Sequence, residues 1–149
     1  MHYKFSTLPA VVVALLSMLP FTSQAEQAQK FGSYVVHYNT LQTTFLAPKV
    51  AREYQITRSQ NRAMLNISVQ EMLDQKPKSV PATIKASATN LTGQLKTINM
   101  RPVRDGDVIY YIGEFGVEDQ EVLDFTVDVQ PEGDNSTHTV QFREQFFTR

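Results

Sequence analysis

Ala63, Leu65, Ile67 and Val69 fall at every second position between Arg62 and Gln70, interleaved with Met64, Asn66 and Ser68. Successive side chains of an extended chain point to opposite faces, so this spacing predicts a strand with one buried face. The same period recurs along the chain, and a helical period almost nowhere. Tyr34, Val36 and Tyr38 oppose Val35 and His37 in a first strand. Near 81–90, Ile84, Ala86 and Ala88 alternate with Thr83, Lys85, Ser87 and Thr89. The stretch 94–103 is weaker, with Ile98 and Met100 on one face and Pro102 demoting its end to an edge or bulge. Asp105-Gly106 is a favoured hairpin pair leading into a strand over 108–115. Leu123, Phe125, Val127 and Val129 share one face of the next strand, and His138, Val140 and Phe142 one face of the last. The turn at 131–135 joins these two as an antiparallel hairpin.

Seven short strands, with turn signals about every ten residues, predict an all-β fold. The expected architecture is an antiparallel two-sheet β-sandwich, immunoglobulin-like or fibronectin-like, with a partly closed barrel as the alternative. The chain has no Cys and no Trp, so the disulfide-and-tryptophan interior of antibody domains is excluded. Phe, Tyr, Leu, Ile and Val must fill the core. The connection 40–60 is too long for a hairpin loop, and within it Pro48 suits the first position of a short helix carrying Val50, Ala51 and Tyr54 inward. Long connections inside compact domains are more often functional than ordinary ones.

The first 25 residues read as a secretion signal. Lys4 follows the start, an apolar run spans Leu8 to Phe21, and Ser23-Gln24-Ala25 places small residues where a signal peptidase reads. Cleavage is expected between Ala25 and Glu26, leaving residues 26–149 as one domain in the periplasm. The apolar run is interrupted by Pro9 and Pro20 and falls short of the roughly 18 to 20 residues that span a bilayer. No transmembrane segment is therefore expected after cleavage. Without Cys the mature chain gains no disulfide in an oxidising compartment, so packing and ladder hydrogen bonds must stabilise it. Losing Lys4 leaves 13 basic against 15 acidic residues. That balance supplies no concentrated basic surface, which excludes nucleic-acid partners and a polybasic membrane dock.

Catalytic patterns are sparse. There is no G-x-S-x-G elbow and no Cys nucleophile, and His37 and His138 are the histidines left after cleavage. His138 shares a face with Val140 and Phe142, which favours a structural role. His37 lies beside Asn39 and opposite the apolar face, where it can line a groove. No histidine or carboxylate pair has zinc-ligand spacing. Asp105 with Asp107, and Glu118 with Asp119 and Glu121, read as a hairpin turn and a solvated loop in preference to calcium ligands. Neither a metal nor another cofactor is expected. Tyr38, Tyr54, Tyr110 and Tyr111 make a poor sugar platform, because alternation buries several of them. The N-x-S/T triplets beginning at Asn66, Asn90 and Asn135 are glycosylation acceptors only in a host with that machinery, and otherwise ordinary strand-end and loop residues. The best remaining cluster gathers Lys49, Arg52, Arg58, Asn61 and Arg62, since guanidinium groups suit bidentate capture of carboxylates. The competing account makes Arg58-Ser59-Gln60-Asn61 a self-bonded turn and Arg62 an exposed strand residue.

The stretches Tyr34-Val35-Val36-His37-Tyr38-Asn39, Thr44-Phe45-Leu46-Ala47-Pro48, Val50-Ala51-Arg52-Glu53-Tyr54, Arg58-Ser59-Gln60-Asn61-Arg62, Leu65-Asn66-Ile67-Ser68-Val69, Ala88-Thr89-Asn90-Leu91-Thr92-Gly93 and Ile109-Tyr110-Tyr111-Ile112-Gly113 resemble an uncharacterised family of small secreted gammaproteobacterial proteins, a domain of unknown function. The likeness covers nearly the whole mature chain. It implies a periplasmic location and no catalytic or binding residues. The resulting expectation is a non-catalytic binding module for an envelope protein or peptide, for example by strand addition to a sheet edge. The alternative is a small-ligand-binding protein or enzyme using a groove near His37, Asn39, Arg58, Asn61 and Arg62.

Overall fold

The computed structural model describes residues 27–149. The expected signal, residues 1–25, lies outside them. Among the described residues ten strands form two antiparallel sheets. In chain order they are β1 (Gln27–Phe31), β2 (Tyr34–Gln42), β3 (Arg62–Leu73), β4 (Lys76–Ser79), β5 (Ala82–Asn90), β6 (Leu95–Ile98), β7 (Arg101–Asp105), β8 (Val108–Gly116), β9 (Glu121–Pro131) and β10 (His138–Phe146). The first sheet runs β1-β2-β3-β8-β7, with β4 also paired to β3, and the second runs β10-β9-β5-β6. This is a sandwich, and the barrel alternative falls.

The interior follows the period-2 reading closely. Val36, Leu65, Ile67, Val69, Leu123, Phe125, Val127, Val129 and Val140 are almost wholly buried between the sheets. Aromatic rings do the work that Trp and a disulfide do elsewhere. Phe125 stacks on Phe142 with ring centroids 4.6 Å apart and meets Phe115 edge-on at 5.4 Å. Each such pair adds about 0.5–1.5 kcal/mol beyond area burial. Tyr111 carries one polar link across the sandwich, its hydroxyl accepting the Ala82 N–H at 2.8 Å.

Three differences from the sequence reading have local causes. β1 and β4 are additional strands; Gln-Ala-Gln-Lys-Phe and Lys-Pro-Lys-Ser are short, polar and largely exposed, so they carry no apolar alternation. The expected strand over 94–103 is two strands in different sheets, β6 in the second and β7 in the first. The chain changes sheets at Asn99-Met100 by passing over Gly113 of β8, where an added Cβ would lie 2.5 Å from Ile98 Cγ2 and 2.6 Å from Met100 Sδ. At the β7–β8 hairpin, Asp105 pairs with Val108, so the two turn residues are Gly106 and Asp107. Gly106 takes a φ of 58°, which places glycine at the first central position of such a turn.

The long connection contains a turn of 3₁₀-helix over Thr43–Phe45 and the short helix α1, Pro48–Glu53, beginning at the expected proline. α1 packs on the outer face of the first sheet. Ala51 and Ile56 cover Met64 and Ile112, with Leu41, Leu46, Tyr54, Val103 and Tyr110 around them, a second core separate from the sandwich interior. Ala51 and Tyr54 face inward as expected, and Val50 is half-buried. Gln55, at φ 55°, ends the helix. Its N–H donates to the Arg52 carbonyl and that of Ile56 to the Ala51 carbonyl, a 5→2 and 6→1 pair that satisfies the last carbonyls. The Arg101 guanidinium on β7 donates to the Tyr54 carbonyl and pins the same helix end.

Candidate functional site

The five residues expected to bind a ligand fall into two groups, His37 and Asn39 on β2 and Arg58, Asn61 and Arg62 in and just after the long connection. His37 lies opposite Ser68 and Asn39 opposite Asn66. Arg62 begins β3, six residues before Ser68, so at about 3.3 Å per residue it sits about 20 Å from the His37 row. Arg58 and Asn61 belong to the Arg62 end. His37 Nε2 is 3.0 Å from Gln70 Oε1, a diagonal contact between neighbouring strands.

At the other end the side chains bind the connection to itself. Thr43, fully buried, receives the Ser59 N–H at 2.9 Å and directs its hydroxyl toward the Ser59 and Arg62 carbonyls. Arg58 Nη2 donates to the Thr44 carbonyl at 2.9 Å, and the Asn61 N–H to Ser59 Oγ at 3.3 Å. Arg62 Nε lies 3.4 Å from Glu114 Oε1, an ion-pair contact without hydrogen-bond geometry; the same oxygen accepts the Thr57 N–H at 3.1 Å. Thr43 escaped the sequence reading, because an isolated Thr in a long polar connection carries no periodic signal.

The acidic segment after β8 is also engaged internally. Glu121 pairs with Lys96 and accepts the Glu118 N–H at 2.9 Å, while Asp119 accepts the Thr148 N–H at 3.0 Å. His138 stacks on Phe31 at 4.8 Å and sets Nε2 2.8 Å from Asp134 Oδ2, which gives it the structural surroundings expected of it. Among the described residues no three His, Cys, Asp or Glu side chains come together as a metal would need.

A different feature stands open. β10 borders the second sheet and pairs only with β9 among the described strands. It is nine residues long and contains no Pro, Gly or Lys. The other sheet borders are short: β1 has five residues, β4 four including Pro77, β6 four, and β7 five including Pro102. Natural sheets shorten, interrupt or charge their edges to prevent pairing; β10 is neither shortened nor interrupted, and its charges are Arg143, held by Asp124, and Glu144, half-buried on the inward-facing side. A cleft of about 350 Å³ lies at its end, between Leu41 and Gln42 of β2 and Gln145–Phe147, flanked by the exposed Phe45 and Phe147. The Gln42 amide donates to the Phe147 carbonyl across it. The alternation of His138, Val140 and Phe142 was visible in the sequence, but the strand's position at a border was not.

Residues 28–149 match the family model described as domain of unknown function DUF4426. The chain belongs to this family. It is similar to the crystal structure of a DUF4426 protein from Pseudomonas aeruginosa PAO1, at 34% identity and TM-score 0.73, covering 84% of this chain and 97% of that one. FetP from uropathogenic Escherichia coli shares the fold at 12% identity and TM-score 0.58, over 81% of this chain and 93% of its own. A copper-bound FetP variant is alike at 13% identity and TM-score 0.58, over 82% and 95%. No curated protein matches the sequence.

Proposed function

We propose that this family member is exported through a signal cleaved between Ala25 and Glu26, and that residues 26–149 form a single periplasmic domain that binds an envelope protein or peptide without performing chemistry. The observation that carries the reading is the open nine-residue edge of β10. An added strand gains affinity from backbone hydrogen bonds alone and so leaves no diagnostic side chains, in keeping with a sequence that has none. The aromatic-flanked cleft at the end of β10 offers such a strand a place for one apolar side chain. No helix among the described residues is long and apolar enough to cross a membrane. The copper of the FetP variant is not carried over, since likeness at 13% identity shows the fold alone.

The test is photocrosslinking in living cells, with a photoreactive residue at Thr139 or Gln141 on β10, and at Lys85 or Thr97 elsewhere on the same sheet. Adducts with one envelope protein from the β10 positions, absent from the other two, are expected. Equal adducts from all four positions, or none, overturn the reading. His37→Ala and Arg62→Ala should leave the adducts unchanged, because both residues belong to the first sheet and β10 to the second.

A further inference from the structure

A bare edge is a row of unpaired N–H and C=O groups that pairs with any unfolded strand it meets. We propose that, between encounters with its partner, β10 is covered by β10 of a second copy of this chain. The two strands pair antiparallel about a two-fold axis and join two four-stranded sheets into one of eight. This rests on the reading of β10 as a strand-accepting edge.

The side chains select one register. Thr139, Gln141, Arg143 and Gln145 face solvent, as the Arg143 bonds to Asp124 at 2.6 and 2.8 Å on the outer face show. Val140 and Phe146 are buried and Phe142 stacks inside, so even-numbered residues face the interior. Residues directly opposite each other in an antiparallel pair share a face. Outward residues must then meet outward ones, so the axis passes through a residue and not between two. An axis at Arg143 opposes two guanidinium groups. An axis at Gln141 leaves the last two residues of β10 without partners. With the axis at Phe142 all nine residues pair, Arg143 lies opposite Gln141, Glu144 opposite Val140, and no like charges meet.

The contact is small. A nine-residue edge about 30 Å long and one sheet about 10 Å thick buries on the order of 300 Å² a side, against about 800 Å² in a standard interface. Such a dimer exchanges readily and yields the edge to a better partner.

Sedimentation equilibrium of residues 26–149, from micromolar to millimolar concentration, tests the proposal with two variants of the exposed Gln141. Gln141→Glu sets a carboxylate opposite each Arg143 and should tighten the dimer several-fold; Gln141→Lys opposes like charges and should weaken it several-fold. Circular dichroism matching the parent shows that both variants fold. Weakening by both variants, or by neither, overturns this register. A monomer throughout overturns the dimer, and hydrogen exchange at β10 amides with a peptide of residues 138–146 then separates the two ideas. Protection by the peptide leaves β10 a strand-accepting edge, and no protection removes that reading as well.

Discussion

Lys96 on β6 and Glu121 at the start of β9 form a nearly buried ion pair, with Nζ 2.7 Å from Oε1 and 2.8 Å from Oε2 and the two side chains 18% and 8% exposed. Lys96 also donates to the Gly116 carbonyl at 2.8 Å, so one ammonium ties the border of the second sheet to the β8–β9 connection. Removing one partner of such a pair strands the other charge. Lys96→Met should cost about 2–4 kcal/mol in urea unfolding, and adding Glu121→Gln should recover part of it.

Acid should unfold the protein through a short set of carboxylates. Burial raises the Glu121 carboxyl, but the bonds from Lys96, the Glu118 N–H and Asn90 together outweigh it and hold it below its usual 4.5. Hydrogen bonds from Arg143 lower Asp124, and the Ser136 N–H, then His138, lower Asp134, both from the usual 3.8. Groups lowered on folding stabilise fully above their unfolded values, and the contribution is lost as pH falls through the folded ones. Unfolding free energy should be level from neutrality to about pH 5 and fall below that. Denaturant titrations across this range check it, and Lys96→Met should flatten the acid limb.

The sheet change at Asn99-Met100 depends on Gly113 having no side chain. A Cβ there would meet Ile98, Met100 and, at 3.0 Å, the Asn99 carbonyl. Gly113→Ala should cost about 1–3 kcal/mol and Gly113→Val more, read as a lower midpoint in thermal unfolding.

Gln55 occupies a left-handed conformation at φ 55° that glycine adopts without steric cost. Gln55→Gly should therefore raise stability by about 0.5–1 kcal/mol, provided the end of α1 holds its two closing bonds. Hydrogen exchange at Ile56 reports on those bonds directly.

Much of the fold was legible because alternation needs only neighbours in sequence. Leu123, Phe125, Val127 and Val129 announce their buried face without reference to any other strand, and Pro48 announces a helix start. The candidate site was less legible. Parity set His37 and Arg62 opposite the apolar side of their own strands, but whether they share a face, and how far apart they lie, depends on the β2–β3 register, which pairs His37 with Ser68 across the whole intervening connection. Thr43 is a hub because Ser59 and Arg62 fold back onto it, a meeting of residues 16 and 19 positions apart.

By itself the sequence determined that this chain must bury every second side chain between two layers, with a core of aliphatic and phenyl groups, since no Cys or Trp was available. Only the tertiary structure decided which strands stand at the borders, and therefore that β10 has one partner among the described strands while β9, its neighbour of similar alternation, has two. The physical reason is that side-chain period reports the faces of a strand, whereas its edges are backbone groups common to all residues, and their partners are chosen by how the whole sheet assembles.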